Sequence, residues 1–155
     1  MYLVRLTLLL PVISALALSQ TEFPNAEGLA PASGYSHVVV TKPGKLVFIA
    51  GQVANNAKGE VVGKGDLKAQ TEQVFANLKT ALAAAGASFQ DVVKINWYIK
   101  DYKPESLPAL REVRNKYINT THPPASTLLG VAALARDEYL IEVEAVAAVP
   151  EKTAR

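Results

Sequence analysis

The sequence predicts an α+β domain in which two helices lie on one face of a mixed sheet. Three observations carry that expectation. Residues 91–100 alternate between apolar and polar side chains, as a half-buried strand does. Residues 66–85 and 105–118 instead repeat their apolar positions at three and four, the period of an amphipathic helix. The stretch Leu140-Ile141-Glu142-Val143-Glu144-Ala145-Val146-Ala147 reads as an interior strand, yet carries two carboxylates. A carboxylate there is costly unless it is paired, hydrogen-bonded or placed in a cleft, so the strand lines a site or borders a subunit contact.

A chain of 155 residues holds one domain with a real core, and not two comfortable ones. Half of the residues are hydrophobic and 19% are charged, the balance of a folded globule rather than a disordered chain. A net charge of +2 leaves no electrostatic footprint for a polyanion, which argues against a nucleic-acid partner. With no cysteine, disulfides, thiolate catalysis and sulfur-ligated metals are excluded.

The first 19 residues have the three parts of a secretory leader. Arg5 supplies the positive charge, Leu6 to Ile13 the apolar run, and Ala15-Leu16-Ala17 or Ala17-Leu18-Ser19 the cleavage signal. The run is too short to span a bilayer comfortably, and Pro11 interrupts it. The expectation is an exported protein with no stable membrane insertion once the leader is removed; a cytoplasmic protein with a buried or peripheral N-terminal helix is the alternative.

Residues 20–36 hold Pro24, Gly28 and Pro31 without a steady period and read as an irregular opening segment to a domain at 37–150. His37 to Thr41 and Lys45 to Ala50 read as strands joined by a tight turn, with Gly44 taking a positive torsion after Lys42-Pro43. A third, short strand is expected at Glu60-Val61-Val62. Asp66 is placed to cap the first helix and Gly86 to end it, with Val74, Phe75, Leu78, Ala81, Leu82 and Ala85 as its apolar stripe. Val93, Ile95, Trp97 and Ile99 then point one way, and Lys94, Asn96, Tyr98 and Lys100 the other. Leu107, Leu110, Val113 and Tyr117 give the second helix its buried side. Two further strands complete the order β-β-β-α-β-α-β-β.

Ser33-Gly34-Tyr35-Ser36, Gly51-Gln52, Gln70, Asn77-Leu78 and Ala84-Ala85-Gly86 fall in a recognisable order. Asp91-Val92-Val93-Lys94, Asp101, Tyr117, Pro124-Ala125 and Glu142-Val143-Glu144-Ala145 continue it. Through these residues the chain, from about Ser33 to Val149, resembles the Rid (reactive intermediate deaminase) family, also called YjgF or L-PSP proteins. The resemblance implies a chorismate-mutase-like fold, a homotrimer and small-molecule clefts between subunits. It also implies imine and enamine hydrolysis to a 2-keto acid and ammonia, without metal or organic cofactor.

The same resemblance assigns the site. Glu144 matches the acidic residue that positions or activates the attacking water and is the catalytic candidate; Tyr35 matches a cleft tyrosine. Ala50, Gly51, Ser126 and Thr127 fall at the remaining substrate-binding positions. Deaminating members read Pro-Ala-Arg-Ser where this chain reads Pro124-Ala125-Ser126-Thr127. Their arginine grips the substrate carboxylate, a contact that contributes about 1.5–3 kcal/mol. Serine carries no charge, so the hold on a carboxylate at that position should be roughly 10- to 150-fold weaker. Ala50 stands where deaminating members commonly carry serine, and Gly34 where a proline often precedes the tyrosine. The chain therefore resembles an arginine-lacking branch.

Read by themselves, these residues have plainer roles. Glu142 and Glu144 would face a subunit interface and pair there with lysine or arginine. Gly51 marks a close backbone approach or a bulge. Arg111 and Arg114, at i and i+3, read as a solvated face, with one of them a possible substitute for the missing guanidinium. His37 and His122 are the only histidines and have no ligand companions, so no metal site is expected. Three functions follow: a metabolite-binding homotrimer that has lost standard deamination, an imine or enamine deaminase with an altered substrate range, and an endoribonuclease. The last lacks a basic, aromatic-studded face and a histidine pair for cleavage.

Overall fold

A computed structural model describes residues 21–42 and 44–150. The leader expected at 1–19, and Pro43 of the expected turn, lie outside those residues. The elements run β1 (Gly44–Val53), α1 (Leu67–Ala84), β2 (Val92–Lys100), α2 (Leu107–Arg114), β3 (Ala125–Val131) and β4 (Ile141–Pro150). The sheet order is β1-β4-β2-β3. β4 runs antiparallel to both β1 and β2, while β2 and β3 are parallel neighbours connected through α2.

Local chemistry fixes α1. The Asp66 side chain accepts from the Ala69 backbone N–H at 3.0 Å, and Gly86 follows the helix at φ 70°. Val74, Phe75, Leu78 and Leu82 are fully buried against the sheet residues Ile95, Ile99, Ile141, Val143 and Ala147. Phe75 stacks on Phe89 at 5.6 Å and meets Trp97 at 5.3 Å, so an aromatic cluster joins α1 to β2. Buried Gln70 donates to the Glu138 carbonyl at 2.7 Å and accepts from the Leu140 N–H at 2.8 Å. It satisfies the backbone that leads into β4.

Four strands form the sheet, not six. His37–Thr41 contributes only a single bridge, Val40 to Glu22, and Val38 and Val40 stay exposed. Its β-branched residues have strand propensity, but propensity alone does not make a ladder, and the segment pairs with Glu22 rather than with the open edge of β1. Glu60–Val62 likewise reduces to one bridge, Val61 to Asn55. Gly44 is the first residue of β1, where a Cβ would lie 2.5 Å from the Val149 carbonyl oxygen, so a close backbone approach calls for glycine. On β2 the register shifts between Val92 and Lys94, so Val92 rather than Val93 takes the buried position. The second helix is shorter than its apolar period suggested, ending at Arg114 before a turn.

Both helices cover the same face of the sheet. On the other face Leu46, Phe48 and Leu129 are 54%, 75% and 48% exposed.

Candidate functional site

The uncovered face carries Glu144. Register places Asn96 opposite Glu144 and Tyr98 opposite Glu142, so the polar phase of β2 meets the acidic phase of β4. Asn96 Nδ2 and Tyr98 Oη both donate to Glu144 Oε1, at 2.8 and 2.9 Å. These two bonds, aided by the charge of Lys94, hold the Glu144 carboxyl below its ordinary range against a smaller opposing effect of burial. The bond to Glu144 in turn pushes the Tyr98 hydroxyl up. Asn96 Oδ1 is buried without a donor among the described residues, an unmet acceptor beside the carboxylate. A cavity of about 380 Å³ opens here between Phe48, Ala50, Lys94, Asn96 and Glu144.

The β1 bulge shapes the same region. Pairing passes from Ile49–Ala145 directly to Gln52–Val143, leaving Ala50 and Gly51 opposite Glu144. A Cβ on Gly51 would overlap the Glu142 carboxylate, so this glycine admits that side chain. Thr127 faces the same way, its Oγ1 accepting from Lys94 Nζ at 2.7 Å.

Ser126 faces the other way. Its partner on β2 is Ile95, a residue of the helix-covered face. It lines a second cavity, of about 370 Å³, with Tyr35, Trp97, Tyr102, Leu110 and Leu128. Arg111 and Arg114 of α2 complete its wall. Both arginines are half-buried rather than solvated, which corrects the reading from their spacing. Arg111 Nη2 donates to the Ser33 carbonyl at 2.9 Å and Arg114 Nη1 to the Gly34 carbonyl at 2.7 Å. The opening segment is thereby tied over the cavity, with Tyr35 packed edge-on against His37 at 5.2 Å.

The six residues assigned from the sequence thus divide. Glu144, Ala50, Gly51 and Thr127 share the uncovered face; Tyr35 and Ser126 share the helix-side cavity. Glu142 and Glu144 do point away from the helices, but the ion pairs among the described residues are Lys64–Glu138, Lys68–Glu112 and Lys116–Glu72, so neither is in one. Sequence reasoning passed over Asn96, Tyr98 and Lys94, although their alternation placed them together on the face away from the core. Only the β2–β4 register connects them to Glu144.

The family model described as Endoribonuclease L-PSP matches residues 26–149. A RutC family protein of Pyrococcus horikoshii is 42% identical over 118 residues, covering 76% of this chain and 88% of the relative. A 2-iminobutanoate/2-iminopropanoate deaminase of Dermatophagoides farinae is 29% identical over 119 residues, or 77% and 88% of the two chains. Among solved structures, YyfB of Yersinia pestis, described as a Rid family protein of unknown function, aligns with a TM-score of 0.77. It is 43% identical over 83% of this chain and 98% of that one. RidA from the Antarctic bacterium Psychrobacter sp. PAMC 21119 aligns at 0.60, with 32% identity over 77% and 92%. Sequence and fold agree along most of the described residues, and the chain belongs to the Rid (YjgF/L-PSP) family.

Proposed function

We propose that this chain is a metabolite-binding Rid protein that assembles as a homotrimer, holds its ligand between subunits and is not a standard 2-imino acid deaminase. One observation carries the reading: Ser126 and Tyr35 lie on the helix side of the sheet, whereas Glu144 and Ala50 lie on the uncovered side. A small ligand that touches both groups must be held by two copies of the chain. Leu46 and Phe48 on β1, and Leu129 on β3 at the opposite edge of the sheet, are exposed apolar groups of the kind that subunit contacts bury.

Two features weigh against standard deamination. Ser126 gives β3 no guanidinium, so the strand-borne fork that grips and orients the substrate carboxylate in deaminating members is missing from its place, whatever other cation lines the cavity. Glu144 is stabilised as the ionised form, which makes it a good acceptor for a ligand N–H and a weak base near neutral pH. Ammonia release from freshly generated 2-iminopropanoate should stay at background and be unchanged by Ser126→Arg; robust turnover by the unaltered protein overturns the proposal. Sedimentation should give a trimer at micromolar concentration, reduced to monomer by Phe48→Asp. A monomer from the unaltered protein would remove the intersubunit cleft.

A second reading, an imine or enamine deaminase with another substrate range, is favoured by the deaminase among the relatives and by a fixed carboxylate able to hold a water. The ammonia assay, extended to amino-acid-derived enamines, separates the two. The endoribonuclease reading gains only names, that of the family model and those of some solved relatives. His37 sits on the Ala30 carbonyl and His122 on the Phe23 ring, so each histidine is engaged separately.

A further inference from the structure

We infer that Arg111 and Arg114 form an anion anchor in the helix-side cavity, which selects carboxylates with an apolar body. This names the ligand class of the cleft and rests on the proposed binding role for its biological use, though the anchor lies within one chain.

Each guanidinium has five N–H donors. Arg111 spends one of them on the Ser33 carbonyl. Arg114 uses Nη1 on Gly34, and Nε and Nη2 on Asn115 Oδ1 at 3.1 and 2.8 Å. Donors remain on both side chains, and neither has an acidic partner among the described residues. Two positive charges therefore share one half-buried wall without a counterion there. The strain is directional: burial first, then the charge of Arg111, pushes the Arg114 pKa down. A bound anion would relieve that repulsion and use the remaining donors in fork geometry.

The backbone is shaped around these side chains. Gly34 has φ +78°, and a Cβ there would lie 3.0 Å from Arg114 Nη2. Glycine both adopts that torsion and lets the guanidinium lie against the chain. Proline, locked near −65°, could do neither. The short Ser126 side chain faces the same cavity, so the cation comes from helix α2 rather than from strand β3. The remaining wall is Trp97, Tyr102, Leu107, Leu110 and Leu128, an apolar lining that suits a hydrocarbon chain beside a carboxylate and not a small hydrated anion.

Trp97 is the only tryptophan in the chain and lines the cavity, so its fluorescence reports occupancy. The full chain is titrated with 4-methylpentanoate, its neutral isostere 4-methylpentanamide, and acetate. The acid should bind roughly 10- to 150-fold more tightly than the amide, and acetate more weakly than the longer acid. Arg114→Gln should abolish the preference for the acid while leaving amide affinity within about twofold, the loss being that of a charge-assisted contact. A role limited to holding the Ser33–Gly34 backbone would instead weaken both ligands alike and overturn the proposal. Equal affinity for acid and amide in the unaltered protein, no Trp97 response to any of the three, or a preference that survives the Arg111→Gln/Arg114→Gln double variant also overturns it. Sedimentation of the same samples separates the two proposals: a monomer that prefers the acid sinks only the intersubunit cleft, and a trimer without preference sinks only the anchor.

Discussion

The two faces of the sheet contrast in what covers them and in the charge they carry. The helix side has an apolar core, and at its β3 edge a cavity with two arginines and no acid among the described residues. The uncovered side has exposed Phe48 and Leu46 around a carboxylate fixed by Asn96 and Tyr98. The cationic and anionic halves are separated by the thickness of the sheet, about one layer of side chains on each side. The contrast teaches that stability and chemistry are segregated here: the residues that hold the fold together are not those that hold Glu144.

The largest break in that contrast should come from the core. Phe75→Ala removes a fully buried ring that meets Phe89, Trp97 and Tyr117 and should cost about 3–5 kcal/mol in urea unfolding. If it costs no more than an exposed truncation such as Phe48→Ala, the helix side is not the stabilising face. Gly51→Ala probes the other side. Its new Cβ would push the Glu142 carboxylate aside, and because that side chain can swing toward solvent the expected loss is about 1 kcal/mol, by the same denaturation.

The smallest effect should be electrostatic. Asn96 and Tyr98 favour ionised Glu144, so its folded pKa lies below the unfolded one. The stabilisation is complete above the ordinary carboxylate value of 4.5 and is lost as pH falls through the folded pKa. It should amount to less than about 1 kcal/mol, since solvent reaches this face. Urea midpoints followed from pH 7 to 3 should fall less in Glu144→Gln than in the unaltered protein; identical slopes would mean that the two donors do not act on the charge.

Elements defined by local chemistry were legible in the sequence. Asp66 and Gly86 bracket α1 by capping, and the alternation of β2 needed no partner to be seen. Residues 37–41 were misread because strand propensity is local and does not say which backbone a segment pairs with: the edge of β1 is open, yet Val40 bridges Glu22. Val93 was misread because a bulge is a property of two strands together. Arg111 and Arg114 looked solvated for a similar reason: the carbonyls that hold them, at Ser33 and Gly34, lie about 80 positions upstream, as the separations of 78 and 80 show. The partition of the candidate site was hidden in the same way. Ser126 and Thr127 are adjacent, so a strand must send them to opposite faces, but which face belongs to the helices emerges only from the register with Ile95.

The position of β4 has a consequence for how the chain is made. It lies between β1 and β2, and β1 has no other partner in the sheet. During synthesis β1, and the apolar groups of α1 that pack on β4, therefore wait unsheltered until Ile141–Pro150 have left the ribosome. Nascent chains stalled before that strand should be protease-sensitive and should need a chaperone, and release of the last strand is the event that commits the domain to its native form.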